Sequence, residues 1–203
     1  MVEFRPKNTN FYNCYIYKMK LHIKNMVCDR CKMVVKSELE QAGHDVVRVD
    51  LGEAEITETL SQKELNALNE RLQTVGFSLI EDRKTRVVEK TKNLIIALVH
   101  SQNNGLSTPL SQYLSFELGQ DYSSISHWFS SHEETTIEQY YVMQRIERVK
   151  ELLGYEELNL NEISELLHYS SASHLSKQFK KVTGMTPSQF KAYGHQRQPL
   201  NQL

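Results

Sequence analysis

The chain is predicted to be an α+β protein in two parts. A strand–helix–strand–strand–helix–strand unit comes first, and an all-α region built twice from one three-helix pattern follows. Three observations carry this prediction. Between Leu21 and Ile80, short alternating apolar runs give way twice to helical spacing. From Leu160 onward, helical stripes are broken at short intervals by turn residues. The second half also repeats itself, without a gap, at an offset of about fifty residues.

In the first part, Leu21 and Ile23 alternate as a strand that runs into Asn25-Met26-Val27-Cys28-Asp29-Arg30-Cys31. A helix follows with Val34, Val35, Leu39 and Ala42 inward, and Gly43 ends it. Val47, Val49 and Leu51 alternate on one side of a second strand. Gly52-Glu53 makes the turn, and Ala54 to Leu60 makes the partner strand of a hairpin. Ser61 caps a second helix, with Glu64 placed to complete a capping box and Leu65, Leu68, Leu72 and Val75 inward. Gly76 ends that helix, and Phe77 to Ile80 forms the last strand. This order is the split βαβ, or ferredoxin-like, arrangement.

In the second part, Leu160, Ile163, Leu166 and Leu167 form one apolar stripe, and Tyr169-Ser170-Ser171 interrupts it. Leu175, Phe179 and Val182 restart the stripe, and Thr183-Gly184 ends it. Thr186-Pro187-Ser188-Gln189 opens a third helix: Thr186 caps, Pro187 suits the first helical position, and Gln189 reaches back. The offset pairs Leu110 with Leu160, Ser123 with Ser173, Ser126 with Ser176, Phe129 with Phe179, Thr136 with Thr186, and Gln139 with Gln189. Conservative pairs lie between, among them Phe116 with Leu166 and Tyr140 with Phe190. The segment joining the copies has Tyr141, Ile146, Val149 and Leu153 at helical spacing, with Arg145, Arg148 and Lys150 off the stripe. It reads as one continuous helix that holds two heads at a fixed separation.

A three-helix unit that buries aliphatics and shows hydroxyls, His and Lys outward is built like a helix-turn-helix reading DNA. In the second unit, Ser173, Ser176 and Lys177 lie on the exposed face and would meet base edges in the major groove of double-stranded DNA. Lys180 and Lys181 would hold phosphates, and the start of the Thr186 helix would add another phosphate contact. By the offset, Ser123, Ser126 and His127 are the base readers of the first unit, and His127 makes part of that contact sensitive to pH near neutrality. Trp128 reads as an aromatic packed in the core or on the joining helix.

The stretch Phe179-Lys180-Lys181-Val182-Thr183-Gly184-Met185-Thr186-Pro187-Ser188-Gln189-Phe190 closely resembles the most specific signature of AraC/XylS-type transcriptional regulators. The resemblance covers about Arg86 to Lys191. It implies two helix-turn-helix units on a long helix that read successive turns of the major groove, with RNA polymerase and a second copy of the chain as open partners. The segment Val87 to Gln102 fits the leading helix of such a domain. The first unit departs from the pattern, since Ser130-Ser131-His132-Glu133-Glu134 stands where Lys-Lys-x-Thr-Gly is usual. In the first part, the strand order together with Met26-x-Cys28-x-x-Cys31 resembles heavy-metal-associated domains, although Asn25 stands where Gly is usual. That resemblance implies Cys28 and Cys31 as thiolate ligands of Cu(I) or another soft metal ion. The same cysteines remain open to two other readings: half-buried small residues, or a redox pair. His22 and His44 read as surface or strand residues.

The domain organisation is therefore a leader at 1–18, a ferredoxin-like unit at 19–82, an AraC-type domain at 86–194, and a tail at 195–203. Within the AraC-type domain the first helix-turn-helix covers about 108–135, the joining helix 137–153, and the second unit about 159–192. The leader reads as an extension ahead of a natural start at Met19, without the apolar centre of a signal peptide. Across 203 residues the formal net charge is −1, which counts against indiscriminate binding of nucleic acid. The charge is uneven, however. No Asp or Glu follows Glu165, while Lys177, Lys180, Lys181, Lys191 and Arg197 all do. The first unit has no Lys or Arg between Gln102 and Gln144 and carries Asp121, Glu133, Glu134 and Glu138. The second unit is thus the electrostatic anchor. Three Cys, including Cys14 outside either fold, give no disulfide framework and point to a reducing, cytoplasmic setting. The longest apolar run, Leu94 to Val99, is too short to cross a bilayer. Phosphate-binding Gly-rich loops, His pairs at metal-ligand spacing and nucleophile elbows are all missing from the sequence, so an enzyme is not expected. The alternative to a regulator is a cytosolic metal-binding or metal-responsive protein that works through Cys28 and Cys31.

Overall fold

The computed structural model describes residues 18–155 and 157–193. Most of the expected leader and the tail, with Cys14 and Arg197, lie outside the described residues. The N-terminal part holds strands β1 (Met19–Lys24), β2 (Val46–Asp50), β3 (Glu53–Ile56) and β4 (Ser78–Leu79). Helix α1 (Asp29–Gln41) lies between β1 and β2, and α2 (Gln62–Thr74) between β3 and β4. The strands form one sheet in the order β2-β3-β1-β4, with antiparallel neighbours throughout. Leu21 and Ile23 of β1 and Ala54 and Ile56 of β3 point to one face, where Val35 and Leu39 of α1 and Leu68 and Leu72 of α2 close the core. The capping box on α2 forms, with Ser61 accepting from the Glu64 amide and Glu64 returning to the Ser61 amide.

Several positions differ from expectation. Register shifts between Val46 and Arg48, so Val46 and Val49 pack on the core while Val47 is 42% exposed. A single inserted residue in a strand sends the following side chains to the opposite face. The hairpin partner ends at Ile56 rather than Leu60, because Leu60 turns away from the ladder to plug the core just ahead of the Ser61 cap. Ala42 and Val75, at the last turns of their helices, face solvent. The final strand is only Ser78–Leu79.

The sheet's second face is polar and meets the next helix, α3 (Arg83–Ile96). Lys20 and His22 alternate with the core residues of β1 and lie against Glu53, which Lys90 of α3 also reaches. Gly52 permits the close approach: it sits at φ 82, and a Cβ there would come within 2.9 Å of the Asn93 side chain. The helix expected at Val87 to Gln102 starts earlier, behind the Asp82 cap, and its end loosens into a π-helical turn at Ala97–Ser101.

The other elements among the described residues are helices: α4 (Leu110–Leu118), α5 (Tyr122–Glu133), α6 (Ile137–Tyr155), α7 (Leu160–Leu166), α8 (Ala172–Thr183) and α9 (Pro187–Tyr193). Two cores form. Leu114, Ile125, Phe129, Ile137 and Tyr140 pack with Val88 and Ile95 of α3. Ile146, Val149, Leu153, Ile163, Leu175, Phe179 and Phe190 make the second core. Helix α6 contributes its first turns to one core and its later turns to the other, and its 19 residues span about 28 Å at 1.5 Å per residue. The repeat extends to side-chain geometry. Phe129 meets Tyr140 edge-on at 5.5 Å between ring centroids, and Phe179 meets Phe190 in the same way at 5.5 Å. Two apolar expectations fail at the surface, since Val182 is exposed at the end of α8 and Phe116 on α4 is 85% exposed.

Candidate nucleic-acid interface

Helix α8 starts at Ser171, whose hydroxyl accepts from the His174 amide, and ends at Gly184 in the left-handed region, φ 78. Leu175 and Phe179 hold one side of α8 in the core. The opposite side turns outward with Ser173, Lys177, Lys180 and Lys181 exposed and Ser176 half-buried. Ser173, Ser176 and Lys177 lie three and four residues apart, on neighbouring turns of one face. His174 is fixed beside them by Ser170 Oγ at 3.0 Å and by an edge contact with Tyr169. Lys180 and Lys181 stand in the last turn. The expected cap on α9 forms: the Gln189 amide donates to Thr186 Oγ1, and the Thr186 amide donates to Gln189 Oε1. The Thr186 hydroxyl also donates to Gln189, so this side chain is committed to the cap.

Helix α5 presents the equivalent positions, with Ser123 and His127 exposed and Ser126 half-buried. Its start differs from that of α8. Asp121 stands where α8 has Ser171, accepting from the Ser124 amide and from the hydroxyls of Ser123 and Ser124. These bonds, led by that from Ser123, hold the Asp121 carboxyl down at about 2. The face therefore keeps a full negative charge at its leading end, and the Ser123 hydroxyl already has an acceptor. The end of α5 differs as well, with Glu134 taking the left-handed conformation, φ 53, that Gly184 takes in the second unit. Its acidic neighbour Glu133 is tied back to Lys92 of α3 at 3.2 Å. Trp128 is half-buried against the first core. Thr136 and Gln139 repeat the capping exchange at the start of α6.

The second unit is held on α6 by more than apolar packing. Arg145, read from the sequence as lying off the apolar stripe, is buried in the middle of α6. Its guanidinium donates to the Leu167 carbonyl at 2.9 Å and lies 3.7 Å from the centroid of the Tyr169 ring. Burial drives the Tyr169 hydroxyl up to about 12. Asn104 Nδ2 donates to the same carbonyl, so the turn between α7 and α8 is held from both α6 and the segment after α3. His100 of the π-helical turn reaches Gln144 of α6 at 3.2 Å, and its burial lowers its pKa.

At the other end of the chain, Cys28 sits exposed at the start of α1 and Cys31 half-buried one turn on, with their sulfurs 3.2 Å apart. Met26 is fully buried in the core against which Cys31 packs. Asn25, at the usual Gly position, adopts φ 71 and donates from Nδ2 to the Gly76 carbonyl at 3.1 Å. Asn tolerates this left-handed conformation better than most residues, which accounts for the substitution. Burial raises the Cys31 thiol's pKa, the opposite of what a helix start alone would give. Among the described residues, no group of three or more His, Cys, Asp and Glu gathers to enclose a metal. The donor set suits a two-coordinate soft cation rather than a four-ligand zinc site. Cys28 and Cys31 are the residues that would hold such a cation, and their sulfurs are close enough to touch each other.

Residues 114–193 match a helix-turn-helix domain family, a stretch short of half the chain. The matched stretch runs from within α4 to the end of α9. Among solved structures, a DNA-binding transcriptional dual regulator from Escherichia coli K-12 is similar, at 20% identity and a TM-score of 0.44. That similarity covers 52% of this chain and 89% of the other. No curated protein matches the chain. Among the described residues, no helix is long and apolar enough to cross a membrane.

Proposed function

We propose that this chain is a sequence-specific transcriptional regulator of the AraC type that binds double-stranded DNA through α5 and α8. One observation carries the reading: two exposed helix faces, matched position by position, are mounted on the single helix α6 that runs through both cores. One rigid helix fixes the distance between the readers, and a fixed distance is what reading successive turns of one groove requires. Ser173, Ser176 and Lys177 read bases and Lys180 and Lys181 hold phosphates. Ser123, Ser126 and His127 read bases in the first unit; the amide and hydroxyl of Thr186 are both taken up by the Gln189 cap, so a phosphate contact at the start of α9 would require that cap to open. The acid-free surface of α8 supplies the attraction that the Asp121 end of α5 does not. Selection of bound sequences from a random duplex pool tests this. Recovery of a bipartite site with its halves about one helical turn apart is the expected result, and a pool with no preferred sequence at moderate salt would sink the reading.

The N-terminal unit is read as a ferredoxin-like, heavy-metal-associated type of domain, supported by the strand order β2-β3-β1-β4 and the two crossover helices. A second reading, that this half binds a soft cation such as Cu(I), is favoured by the paired sulfurs of Cys28 and Cys31. Metal analysis of the purified chain beside a Cys28→Ser, Cys31→Ser double variant tests it. Equal copper content in both would remove it.

A further inference from the structure

A cleft of about 280 Å³ opens where the sheet, α3 and the first helix-turn-helix unit meet, lined by His22 of β1, Arg83, Arg86 and Lys90 of α3, Leu118 at the end of α4 and Gln120 beyond it. Its cations are not equally free. Lys90 is matched by Glu53 at 2.5 Å. Arg83 and Arg86, one turn apart on the same side of α3, have no hydrogen-bond or ion-pair partner among the described residues, and Arg86 Nε is buried without an acceptor. Glu117 stands exposed at the rim and is the one acid in the lining.

We propose that this cleft binds a small oxyanion, a phosphate- or carboxylate-bearing molecule, with Arg83 and Arg86 as its charge partners. A guanidinium presents a planar fork of donors that fits two oxygens of such a group at once. Arg145 Nε and Arg148 Nε are also buried without an acceptor, but their guanidiniums are engaged by Leu167 and Glu151, whereas that of Arg86 faces the cleft, where an oxygen ligand would satisfy it. A neighbouring hollow of about 270 Å³ shares Lys90, Glu117 and Leu118 with the cleft, and its further lining of Leu51, Leu94 and Ala97 is interrupted by Glu53 and Asn93, so the anionic head belongs on the Arg83 and Arg86 side. The ligand would touch the sheet, α3 and the approach to α5 at once, and so draw the two halves of the chain together. The binding stands whether or not the chain reads DNA. A DNA backbone phosphate offers the same chemistry, and the experiment separates the two sources.

The full chain is titrated calorimetrically with inorganic phosphate in the absence of DNA, with chloride holding ionic strength constant. The expected result is saturable binding at one site, weakened roughly tenfold to hundredfold by Arg86→Gln and by Arg83→Gln, the range for losing a hydrogen bond to a charged group. Lys63→Gln on α2, remote from the cleft, leaves it unchanged. Circular dichroism establishes that each variant is folded. Because Arg83 is exposed, Arg83→Gln keeps the test intact even where Arg86→Gln fails to fold. Absence of saturable binding by the parent chain overturns the proposal, as does equal binding by parent and Arg83→Gln. If free phosphate does not bind while both variants lose affinity for every duplex alike, the arginines serve the DNA backbone and the small-anion site is again overturned.

Discussion

Lys90 Nζ on α3 lies 2.5 Å from Glu53 Oε1 at the start of β3, so one ion pair fastens the polar face of the sheet to the helix that opens the second half. Lys20 reaches the same carboxylate at 2.9 Å from the neighbouring strand. Burial alone would push the Glu53 carboxyl up, but the bonds from Lys90 and Lys20 more than reverse this and leave it below its ordinary value of 4.5. A carboxyl that titrates lower in the folded than in the unfolded state contributes stability above its unfolded value and loses it as pH falls through the folded one. Glu53→Gln is therefore expected to lower stability to urea by about 1 kcal/mol at neutral pH, a figure discounted for solvent exposure. The deficit should shrink as pH falls below the carboxyl's ordinary value of 4.5 and through its lower folded value. A deficit that stays constant across that range would show that the ion pair is not its source.

Glu134 and Gly184 close equivalent helices in the same left-handed conformation, at φ 53 and φ 78. For a residue with a Cβ that conformation costs about 1–2 kcal/mol, while Gly gives back about 0.5–1 in unfolded-chain entropy. Glu134→Gly should thus raise stability by about 0.5–1 kcal/mol. Thermal unfolding of the two proteins side by side checks it, and a lower midpoint for the variant would mean that the Glu134 side chain contributes more than its backbone costs.

The helical half was legible because its signals are local. Thr136 with Gln139, and Thr186 with Gln189, announce helix starts from side chains three residues apart, and both exchanges form. Phe129 and Phe179 were paired by the offset alone and occupy the same place in their cores. What the sequence hid depends on tertiary context. Arg145 lies among residues that read as solvated, yet the Leu167 carbonyl and the Tyr169 ring draw it inside. Val182 fits the stripe of α8, but the core has ended by that turn. Val47 is misplaced because no local signal marks the register shift between Val46 and Arg48. The arginines of the cleft gave no motif either, since they are brought opposite His22 only by the packing of α3 on the sheet.

Asp121 places a permanent negative charge at the start of the first reading helix, where the second has Ser171. Ser caps a helix about as well as Asp, so Asp121→Ser should leave stability nearly unchanged. The variant should bind every duplex several-fold more tightly at low salt, because one charge repelling the phosphates is gone. The gain should fade as the screening length falls below about 8 Å near 0.15 M salt. Fluorescence anisotropy across a salt series measures this. Unaltered affinity at low ionic strength would place the α5 start away from the DNA.

Lys177 and Lys180 share one helix one turn apart, both exposed, and the proposed interface gives them different tasks. A side chain that meets a base edge contributes only at the right base. Lys177→Ala should therefore cost about 1–3 kcal/mol at the selected site and relax preference at one position of it. A phosphate contact is blind to sequence. Lys180→Ala should weaken all duplexes alike and flatten the dependence of log affinity on log salt by roughly 0.9. Measured together on one selected and one scrambled duplex, the pair separates reading from anchoring. If Lys180→Ala leaves the salt slope where it was, that lysine does not face the backbone, and the orientation assigned to α8 in the groove is wrong.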